Sequence, residues 1–486
     1  MKLIEILKGV NYKLLKGALE IDVTDLCYDS RQYQKNNAFI CLEGIDTDGH
    51  KYISDVIKKG CKCLIVSKEV EVKEDITIVK LENTRTSLSH LSANFFSNPQ
   101  EKLFKIAITG TKGKTSTSFM IKKILEEYGQ KVGVIGTLGT IINGKTYEHK
   151  NTTPESYQVQ KYMKMMVDEG VKYLIMETSS QALQVGRVNN ILYEVGIFTN
   201  LSIDHIGPRE HKDFNEYKLA KAKLFKQCKI GIFNKDDKFY PEMIKNATCK
   251  IYTYGKTGNP FEIRNITPFQ NKNLLGMQFQ LKGKINTTFK VASPGEFSVY
   301  NASASIALAT ILKIPQNIIK KGLLNFNIPG RSEIINLNNQ VKVVIDFAHN
   351  KISMESIINT MKNYSKGKII TLFGCGGGRS YDRRYELGYT SGKLSDLSII
   401  TTDNPRWDNI SEINHDIEQG ILDAKGNYKI IPDRKEAIQY SLTIAKKGDI
   451  ILLLGKGHEK YQEIKGEKQN FDEKEIINNF IKERLS

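Results

Sequence analysis

The chain has 486 residues, a formal net charge of +17, 40% hydrophobic residues and 26% charged residues. This length accommodates about three domains, and the balance of apolar and charged residues predicts a soluble globular protein. No apolar run approaches the ~18 residues of a membrane span, and charges interrupt the apolar N-terminus, which argues against a signal peptide. Of the seven cysteines only Cys61 and Cys63 are close together, which predicts reduced thiols in a cytoplasmic protein.

The positive charge would fit nucleic-acid binding, but its distribution does not. The 71 lysines and arginines are spread along the chain and mixed with acidic residues, as in KEVEVKED and KGEKQNFDEKE. Neither a long basic block nor interleaved aromatic and basic residues occur. We therefore interpret the charge as a field that attracts polyanionic small molecules such as nucleotides. We expect no nucleic-acid partner and no membrane insertion.

Apolar runs and helical patterns alternate along most of the chain. Residues 1–98 mix short apolar runs with helical stretches and end at the turn-forming Ser97–Gln100. From 99 to 328, runs such as KIAIT, YLIMET and VGIFTNL alternate with helices, which predicts a parallel sheet. After a linker at Ile328–Arg331 the alternation resumes with VKVVIDFAH, KIITLFG and DIILLLGKG. We predict an α/β protein with three domains, at 1–98, 99–328 and 329–486.

The segment Ile106–Thr117 carries the most specific local pattern. A β-type run ends at Gly110, a short loop presents Gly113, Lys114 and Thr115, and a helical pattern follows. Such a loop cradles phosphates with its backbone N–H groups, while the lysine reaches the β- and γ-phosphates and the threonine ligates Mg²⁺. Two residues, rather than the usual four, separate the first glycine from the Gly-Lys pair. The sequence therefore predicts ATP binding by a variant P-loop.

Seven further motifs follow this loop in a fixed order. They are NTTPES (Asn151–Ser156), METSSQAL (Met176–Leu183), DHIG (Asp204–Gly207), PGR (Pro329–Arg331), DFAHN (Asp346–Asn350), DNPR (Asp403–Arg406) and GKGHE (Gly455–Glu459). With the loop, they resemble the Mur ligases over essentially the whole chain. The pair DNPR and GKGHE resembles the MurE branch, the UDP-N-acetylmuramoyl-tripeptide synthetases.

The resemblance implies an ATP-dependent ligase of peptidoglycan precursor synthesis. Such an enzyme joins a diamino acid to UDP-MurNAc-L-Ala-D-Glu through an acyl phosphate, which requires positioning and positive charge more than a protein nucleophile. The resemblance also implies a uridine-nucleotide-binding first domain, a P-loop ATPase second domain and a Rossmann-like third domain. We expect a monomer.

ATP and metal contacts are likewise implied by the resemblance. Thr115 and Glu177 would hold Mg²⁺ and His205 would ligate a second Mg²⁺, although this ion prefers oxygen ligands. Lys221 would be carbamylated, because a carbamate supplies oxygens where metal ions would repel an ammonium. The predicted catalytic residues are Lys114, Glu177, His205 and Lys221. The predicted ATP contacts are Gly110, Thr111, Lys112, Gly113, Lys114, Thr115, Ser116, Asn301, Arg331, Asp346 and His349. Asn301 would contact adenine or have a structural role in its helix.

The resemblance assigns the UDP-muramoyl-peptide to the first two domains. The residues concerned are Ser30, Asn151, Thr152, Thr153, Ser179 and Arg187. For Ser30 the alternative is a turn-forming Asp-Ser pair. Two departures from the family pattern stand out. Gln181 occupies a position where many relatives have histidine, and Phe347–Lys351 replaces the usual Y-A-H-T-P segment.

The amino-acid pocket would lie in the third domain. Its predicted residues are Arg384, Asp403, Asn404, Arg406, Gly455 and Glu459. The arginines would bind carboxylates, and Asp403 and Glu459 would bind ammonium groups. Lysine lacks a second carboxylate and would leave a buried Arg406 unpaired, at a cost of roughly several kcal/mol. Arg406 therefore favours meso-diaminopimelate, or an isostere such as meso-lanthionine. Trp407 either lines this pocket or packs the loop.

Four other functions are alternatives to this interpretation. An L-lysine-adding MurE differs only in the pocket around Arg406. A ligase like folylpolyglutamate synthetase shares the ATP chemistry, but DNPR, GKGHE and a uridine-type first domain argue against it. The dispersed charge argues against a nucleic-acid-stimulated P-loop ATPase. The joint presence of Lys114, Thr115, Glu177, His205 and Lys221 argues against a nucleotide-binding regulator without chemistry.

Overall fold

The computed structural model describes residues 1–44, 47–207, 210–271, 274–337 and 341–485. In these ranges, helices accompany sheets that are mainly parallel, which confirms the predicted α/β class. The chain divides into two compact units. Unit 1 consists of Met1–Arg264, Leu281–Thr287 and Tyr300–Leu323, and unit 2 of Asn265–Gln280, Thr288–Val299 and Leu324–Ser486. The three predicted domains and their boundaries, after residues 98 and 328, stay predictions.

Unit 1 begins with a five-stranded sheet in the order β1-β5-β4-β3-β2, in which only β1 runs antiparallel to its neighbour. The strands are β1 (Tyr12–Lys16), β2 (Leu26–Cys27), β3 (Ala38–Ile40), β4 (Cys63–Val66) and β5 (Thr77–Leu81). The helices are α1 (Leu3–Ile6), α2 (Ile53–Lys58) and α3 (Thr84–Phe95). Successive residues of β3 to β5 fall into two different hydrophobic clusters. Both faces of the sheet are therefore covered, which explains why these short strands are almost wholly apolar.

An eleven-stranded sheet has the order β16-β15-β14-β13-β12-β11-β6-β10-β7-β8-β9. Its strands are β6 (Phe104–Thr109), β7 (Val132–Gly136), β8 (Gly139–Ile142), β9 (Lys145–Tyr147), β10 (Tyr173–Glu177), β11 (Tyr193–Phe198), β12 (Cys228–Asn234), β13 (Lys250–Gly255), β14 (Phe261–Gln270), β15 (Leu275–Gly283) and β16 (Thr287–Val291). The helices of this region are α4 (Lys114–Glu127), α5 (Ser156–Asp168), α6 (Ser180–Gln184), α7 (Phe214–Ala222), α8 (Tyr240–Ile244), α9 (Glu296–Ile311) and α10 (Gln316–Asn325). Strands β7, β10, β6, β11, β12 and β13 are parallel. Their carboxyl ends lie at one edge, where β6 leads into the P-loop and β10 ends at Glu177.

Unit 2 contains a six-stranded sheet in the order β17-β18-β22-β19-β20-β21, in which only β17 is antiparallel. Its strands are β17 (Glu333–Leu337), β18 (Val341–Asp346), β19 (Ile369–Phe373), β20 (Leu397–Ile400), β21 (Tyr428–Ile430) and β22 (Ile450–Leu454), followed by the hairpin β23 (Tyr461–Ile464) and β24 (Glu467–Asn470). The helices are α11 (Lys351–Lys362), α12 (Tyr381–Leu394), α13 (Ile410–Asp423), α14 (Arg434–Ile444) and α15 (Glu473–Leu485). The DFAHN, DNPR and GKGHE segments and the glycine-rich residues 374–378 after β19 all lie at the carboxyl edge of this parallel sheet.

None of the helices in the described part of the chain has the length and hydropathy that crossing a bilayer requires.

Candidate active site

The P-loop joins β6 to α4 as the sequence predicts. Gly113 caps the helix with φ of 85°, a left-handed conformation that glycine adopts without strain. A Cβ atom at this position would lie 2.5 Å from Oδ1 of Asn301, which is itself buried. The glycine is therefore required both by conformation and by space. The predicted contact Asn301 lies directly against the loop.

Neighbouring side chains fix the shape of the loop. The Nζ atom of Lys114 donates to the carbonyls of Gly110 and Thr111, at 2.8 and 3.1 Å. The backbone N–H of Lys112 donates to Oδ1 of Asn200 at 2.9 Å. The remaining predicted residue, Ser116, lies in the first turn of α4. The loop is thus preorganised, with its lysine folded over the glycine backbone.

Glu177 is a buried carboxylate, 1% exposed, at the end of β10. Its Oε2 accepts hydrogen bonds from the hydroxyls of Thr115 and Thr137, both at 2.9 Å, and its Oε1 accepts the N–H of Thr137 at 3.2 Å. Burial raises the pKa of this carboxyl, while the nearby charge of Lys114 and the hydrogen bonds lower it. A buried carboxylate held by neutral donors next to a threonine hydroxyl has the oxygen chemistry that Mg²⁺ binds.

Lys221 lies on α7 with 2% of its surface exposed. Its Nζ donates to the Gly110 carbonyl at 3.0 Å and lies 4.5 Å from the ring centroid of Tyr217. Gly110 thus accepts from both Lys114 and Lys221. Burial lowers the pKa of Lys221 well below its ordinary value, Lys114 lowers it further, and Asp204 opposes the shift. The structure therefore favours the neutral amine, the form that reacts with CO₂.

His205 is placed differently from the other predicted metal ligands. Its side chain is 49% exposed, and its Nδ1 contacts Oε1 of Glu210 at 2.7 Å. Its ring centroid lies 5.8 Å from that of Tyr217. Among the described residues, no group of three or more His, Cys, Asp or Glu could hold a metal ion. The structure thus brings Thr115 to Glu177, whereas His205 pairs with Glu210.

Most residues predicted to contact the muramoyl-peptide form a network around Glu177. The Thr153 hydroxyl donates to the Glu177 carbonyl at 2.8 Å and accepts the Ser179 N–H at 3.0 Å. The hydroxyls of Thr152 and Thr137 lie 3.2 Å apart. The resulting network connects these predicted substrate contacts with the predicted metal carboxylate. Thr137 was not foreseen, and the residues that begin β8 after it gave no motif.

Arg187 contacts both the threonine segment and an acidic neighbour. It donates to the Thr153 carbonyl at 3.1 Å and to Oε1 of Glu155 at 2.8 Å. Asn151 is exposed. Ser30 belongs to the first sheet's region, where it begins a 3₁₀ turn and its carbonyl accepts from Lys59 at 2.7 Å. The turn geometry agrees with the structural alternative for Ser30 and leaves its substrate role a prediction.

Three predicted ATP contacts lie in unit 2. The Asp346 carboxylate accepts N–H groups of Ser332 and Ala348 at 2.7 and 2.9 Å. Burial raises its pKa and Arg331 lowers it. Arg331 lies 5.1 Å from the ring centroid of Phe347, and the His349 ring lies 4.7 Å from the same centroid. The three predicted contacts therefore surround one short segment after β18.

The unusual ending of this segment has a structural explanation. Asn350 is the N-cap of α11, and its Oδ1 accepts the Ser353 N–H at 2.9 Å while the Ser353 hydroxyl completes a capping box. Asparagine is among the strongest N-cap residues. The substitution in Phe347–Lys351 therefore preserves the start of the helix.

Four of the predicted amino-acid pocket residues are brought together by a buried lysine. Lys456 is 0% exposed, and its Nζ donates to Oδ1 of Asn404 at 3.0 Å. It also lies 3.5 Å from Oε2 of Glu459 and 3.8 Å from Oδ1 of Asp403. Gly455, with φ of 106°, leaves room for the Asp403 carboxylate, which would lie 2.5 Å from a Cβ atom there. Lys456 was missed, although it lies within the GKGHE motif after a wholly apolar strand.

The two predicted arginines already have acidic partners. Arg384, whose side chain is 10% exposed, pairs with Asp408 and Asp416 at 2.5 and 3.0 Å. Arg406 donates to the Gly377 carbonyl at 3.0 Å and to Glu463 at 3.3 Å. The predicted burial of Arg406 is wrong, because its side chain is 42% exposed. Solvent reduces the cost of leaving it unpaired.

Trp407 beside the pocket is 78% exposed, and it lies over the hairpin turn at Gly466, where a Cβ atom would be 3.0 Å from its ring. Its position supports a packing role over a pocket lining.

The comparisons with known proteins agree along the whole chain. The family described as "Mur ligase family, catalytic domain" matches residues 22–96, "Mur ligase middle domain" matches 108–309, and "Mur ligase, glutamate ligase domain" matches 330–457. A curated protein of Clostridium perfringens, named UDP-N-acetylmuramoyl-L-alanyl-D-glutamate--2,6-diaminopimelate ligase, is 40% identical over 98% of this chain and 99% of its own. The chain belongs to the Mur ligase family.

Other relatives of this Mur ligase carry the same name. The Clostridium tetani protein is 40% identical over 99% of this chain and 100% of its own. A solved structure of a UDP-N-acetylmuramoyl-L-alanyl-D-glutamate--2,6-diaminopimelate ligase is 26% identical, with a TM-score of 0.74 over 100% of this chain and 99% of that one. Mur ligases are ATP-dependent and commonly use Mg²⁺, which agrees with the P-loop and with the chemistry of Glu177.

Proposed function

We propose that this Mur ligase adds a diamino acid to UDP-MurNAc-L-Ala-D-Glu during peptidoglycan precursor synthesis, with meso-diaminopimelate or an isostere such as meso-lanthionine as the incoming amino acid. The observation that carries this proposal is the arrangement at Gly110, whose carbonyl accepts from Lys114 and Lys221 beside the buried Glu177. The relatives named for this reaction match over almost their full length.

The chemistry begins with the D-glutamyl γ-carboxylate. One of its oxygens attacks the γ-phosphorus of ATP, the bond to the β,γ-bridging oxygen breaks, and ADP leaves. The amine of the diamino acid then attacks the acyl carbon, loses a proton, and inorganic phosphate departs from the tetrahedral intermediate. Both steps develop negative charge on phosphate oxygens, so cationic groups and a preorganised loop provide the catalysis.

The residues around Gly110 fit these requirements. Lys114 would leave the loop carbonyls and bind the transferring phosphoryl group. Thr115 and Glu177 would hold Mg²⁺, which neutralises phosphate charge when bound. The second proposed ligand set comprises His205 and carbamylated Lys221, and His205 would have to exchange Glu210 for a metal ion. The burial of Lys221, which lowers the pKa of its amine, supports its carbamylation.

Substrate recognition divides between the two units. In unit 1 the hydroxyl network of Thr152, Thr153 and Ser179 would position the muramoyl-peptide, and Ser30 would contact the uridine nucleotide. In unit 2 the pocket residues would position the diamino acid. Arg406 would bind its distal carboxylate by exchanging Glu463, and Asp403 and Glu459 would bind its ammonium group. We also propose the three domains at 1–98, 99–328 and 329–486, a cytoplasmic location and a monomer.

A substrate panel tests this function. The full chain is assayed for ADP release with UDP-MurNAc-L-Ala-D-Glu and, in parallel, meso-diaminopimelate, meso-lanthionine or L-lysine. We expect ADP release to depend on both substrates and to be fastest with meso-diaminopimelate or lanthionine. Preference for L-lysine would overturn the amino-acid assignment alone. ADP release with dihydrofolate and glutamate, but not with the muramoyl dipeptide, would overturn the function.

A further inference from the structure

Lys456 occupies a position in the pocket that no predicted role uses. It follows β22 between two glycines with positive φ, 106° at Gly455 and 56° at Gly457, and this backbone turns its side chain inward. No part of it is exposed. Its Nζ lies 5.6 Å from the ring centroid of Tyr461 and within 4 Å of an amide and two carboxylates. A buried ammonium in such surroundings is costly unless its partners are held in place.

The hydrogen bonds around Asn404 determine its amide orientation. Its Oδ1 accepts from Lys456 Nζ and from the Glu463 N–H, both at 3.0 Å. Because two donors point to one side of the amide, the NH₂ group must face the other side. There Nδ2 donates to Oε2 of Glu459 at 2.8 Å. Lys456 thus fixes both Asn404 and, through it, one oxygen of Glu459.

The charges of the cluster add a second consequence. Asp403 and Glu459 contribute two negative charges, and Lys456 offsets one of them. The cluster therefore has a net charge of −1, which matches a single substrate ammonium. Without Lys456 two carboxylates would face one ammonium, and Oδ1 of Asn404 would lose one of the two donors that fix its orientation. A diamino acid carries a second ammonium at its other end. Because the cluster balances the charge of one ammonium only, it binds one end of the substrate and thereby orients it.

We propose that Lys456 is a positioning residue for the amino-acid substrate, which holds Asn404 and Glu459 in their binding orientation and limits the cluster to one substrate ammonium. The proposal rests on the proposed function, since it assumes that this pocket binds the diamino acid. It deepens that function by naming the group that prepares the pocket.

The test compares two lysine-to-methionine variants of the full chain. Lys456→Met removes the ammonium at nearly constant length. Lys468→Met is the matched control, because Lys468 is exposed and its Nζ lies 4.1 Å from the centroid of the same Tyr461 ring. Lys456→Gln removes the charge but keeps a donor toward Asn404, and it replaces the methionine variant if that one does not fold. Thermal unfolding confirms that each variant is folded.

Steady-state constants are measured for ATP, the muramoyl dipeptide and whichever diamino acid the wild type uses best. Removing a charged hydrogen-bond donor should raise the KM for the diamino acid about 10- to 100-fold in Lys456→Met. We expect the KM values for the other two substrates to stay within about twofold, and kcat to fall less than about threefold, because the interaction acts on substrate binding. Lys468→Met should match the wild type throughout.

The possible failures are distinguishable. A wild type that ligates none of the three diamino acids overturns the proposed function, and calorimetric binding of each diamino acid then decides on Lys456. A wild type that is active, combined with an unchanged diamino-acid KM in both folded Lys456 variants, overturns the positioning role. A uniform rise of all three KM values also overturns it, because it indicates a merely structural lysine. In the calorimetric experiment, diamino-acid binding by the folded Lys456 variants that equals wild-type binding likewise overturns the positioning role.

Discussion

At the level of single residues, Lys114 and Lys221 donate to the same carbonyl, yet only Lys221 is almost completely buried. Two amines at one carbonyl repel each other when both are charged. Burial lowers the pKa of the Lys221 amine, and the charge of Lys114 lowers it further. Carbamylation would replace the amine of Lys221 with an anionic group that pairs with Lys114. The exchange removes the unfavourable interaction and supplies oxygen ligands at the same position.

Substituting Lys221 tests this reasoning. Lys221→Ala should lower the rate of ADP release at least about a hundredfold, the typical effect of losing a preorganised charged group, and short carboxylates should restore part of it. Lys218→Ala, three residues earlier on α7 and paired with Glu242, is the control and should keep most activity. With ¹³C-bicarbonate, a carbamate NMR signal should appear in the wild type and in Lys218→Ala only. Full activity of Lys221→Ala would contradict the carbamate.

Glu177 predicts an unusual pH dependence of stability. Burial raises its pKa in the folded chain. Protonation of Glu177 therefore stabilises the folded chain. This stabilisation is complete below the unfolded pKa of about 4.3 and is lost as the pH rises through the folded pKa. Above the folded pKa and without Mg²⁺, the buried charge of the carboxylate destabilises the fold. Glu177→Gln should then melt a few degrees higher than the wild type.

Added Mg²⁺ should reverse that order. The wild type should gain melting temperature with Mg²⁺, because the ion compensates the buried charge, whereas Glu177→Gln should gain little. Glu126→Gln, which disrupts a partly buried pair with Lys122, is the control and should respond to Mg²⁺ like the wild type. A Glu177→Gln variant that melts lower than the wild type and keeps the full Mg²⁺ response would contradict the proposed site.

Arg406 sets the expected discrimination between diamino acids. Arg406 is half-exposed and paired with Glu463. Exchanging this partner for a substrate carboxylate therefore yields only a moderate gain in binding free energy. Arg406→Ala should raise the KM for meso-diaminopimelate about tenfold and the KM for L-lysine less than about threefold. Arg406→Lys should recover only part of the difference, since it lacks the bidentate fork. Equal losses with both amino acids would refute the assignment of Arg406 to the distal carboxylate.

At the level of elements, one buried arginine ties the two pocket loops to the sheet. Arg434, the first residue of α14, donates to the carbonyls of Thr402 and Leu454, at 3.3 and 3.0 Å. These residues directly precede the DNPR and GKGHE loops. Its Nε donates to Oε1 of the buried Glu473 at 2.8 Å, at the start of α15. The position of both loops therefore depends on an ion pair outside the pocket.

Breaking this pair should be costly and partly reversible. Arg434→Met leaves Glu473 buried and unpaired, so unit 2 should lose about 3–5 kcal/mol of unfolding free energy in denaturant titrations. The double variant Arg434→Met/Glu473→Leu should recover most of the loss, because an apolar pair can replace a buried ion pair. The KM for the diamino acid should remain raised in the double variant, since the two carbonyls still lack their donor. A double variant as unstable as the single one would contradict this account.

The same elements show what the sequence could predict. The strands and the functional loops that follow them could be predicted, because apolar runs end at glycine or polar residues. The carboxyl ends of parallel strands lie together, so these loops were expected at one edge of a sheet. The partners of charged residues were not visible. Arg434 and Glu473 are 39 residues apart, and Arg406 and Glu463 are 57 apart. Such pairs form only when tertiary structure brings them together. For the same reason, the partner of Arg406 could not be predicted, and the prediction that Arg406 is buried was wrong.

At the level of the whole molecule, many of the basic residues have local acidic partners. In the described part of the chain, helical ion pairs between residues four positions apart include Lys122–Glu126 and Lys123–Glu127 on α4 and Lys164–Asp168 on α5. Pairs of this kind cancel charge locally and leave a diffuse positive field. A diffuse field raises the encounter rate of small polyanions without providing the row of phosphate contacts that a nucleic acid needs.

Salt dependence separates these two uses of the net charge. The KM for the muramoyl dipeptide, which carries a diphosphate, should rise only a few-fold between 50 and 200 mM salt, far below the ~10³–10⁵-fold loss typical of proteins with 6–10 DNA phosphate contacts. DNA and RNA added in excess should leave ADP release unchanged. The control is an uncharged polymer at equal mass, which corrects for viscosity and crowding. Nucleic-acid-dependent ADP release in the absence of the muramoyl dipeptide would contradict the ligase and favour an ATPase that acts on nucleic acid. Such stimulation requires a surface that binds successive phosphates of the polymer and is coupled to the P-loop.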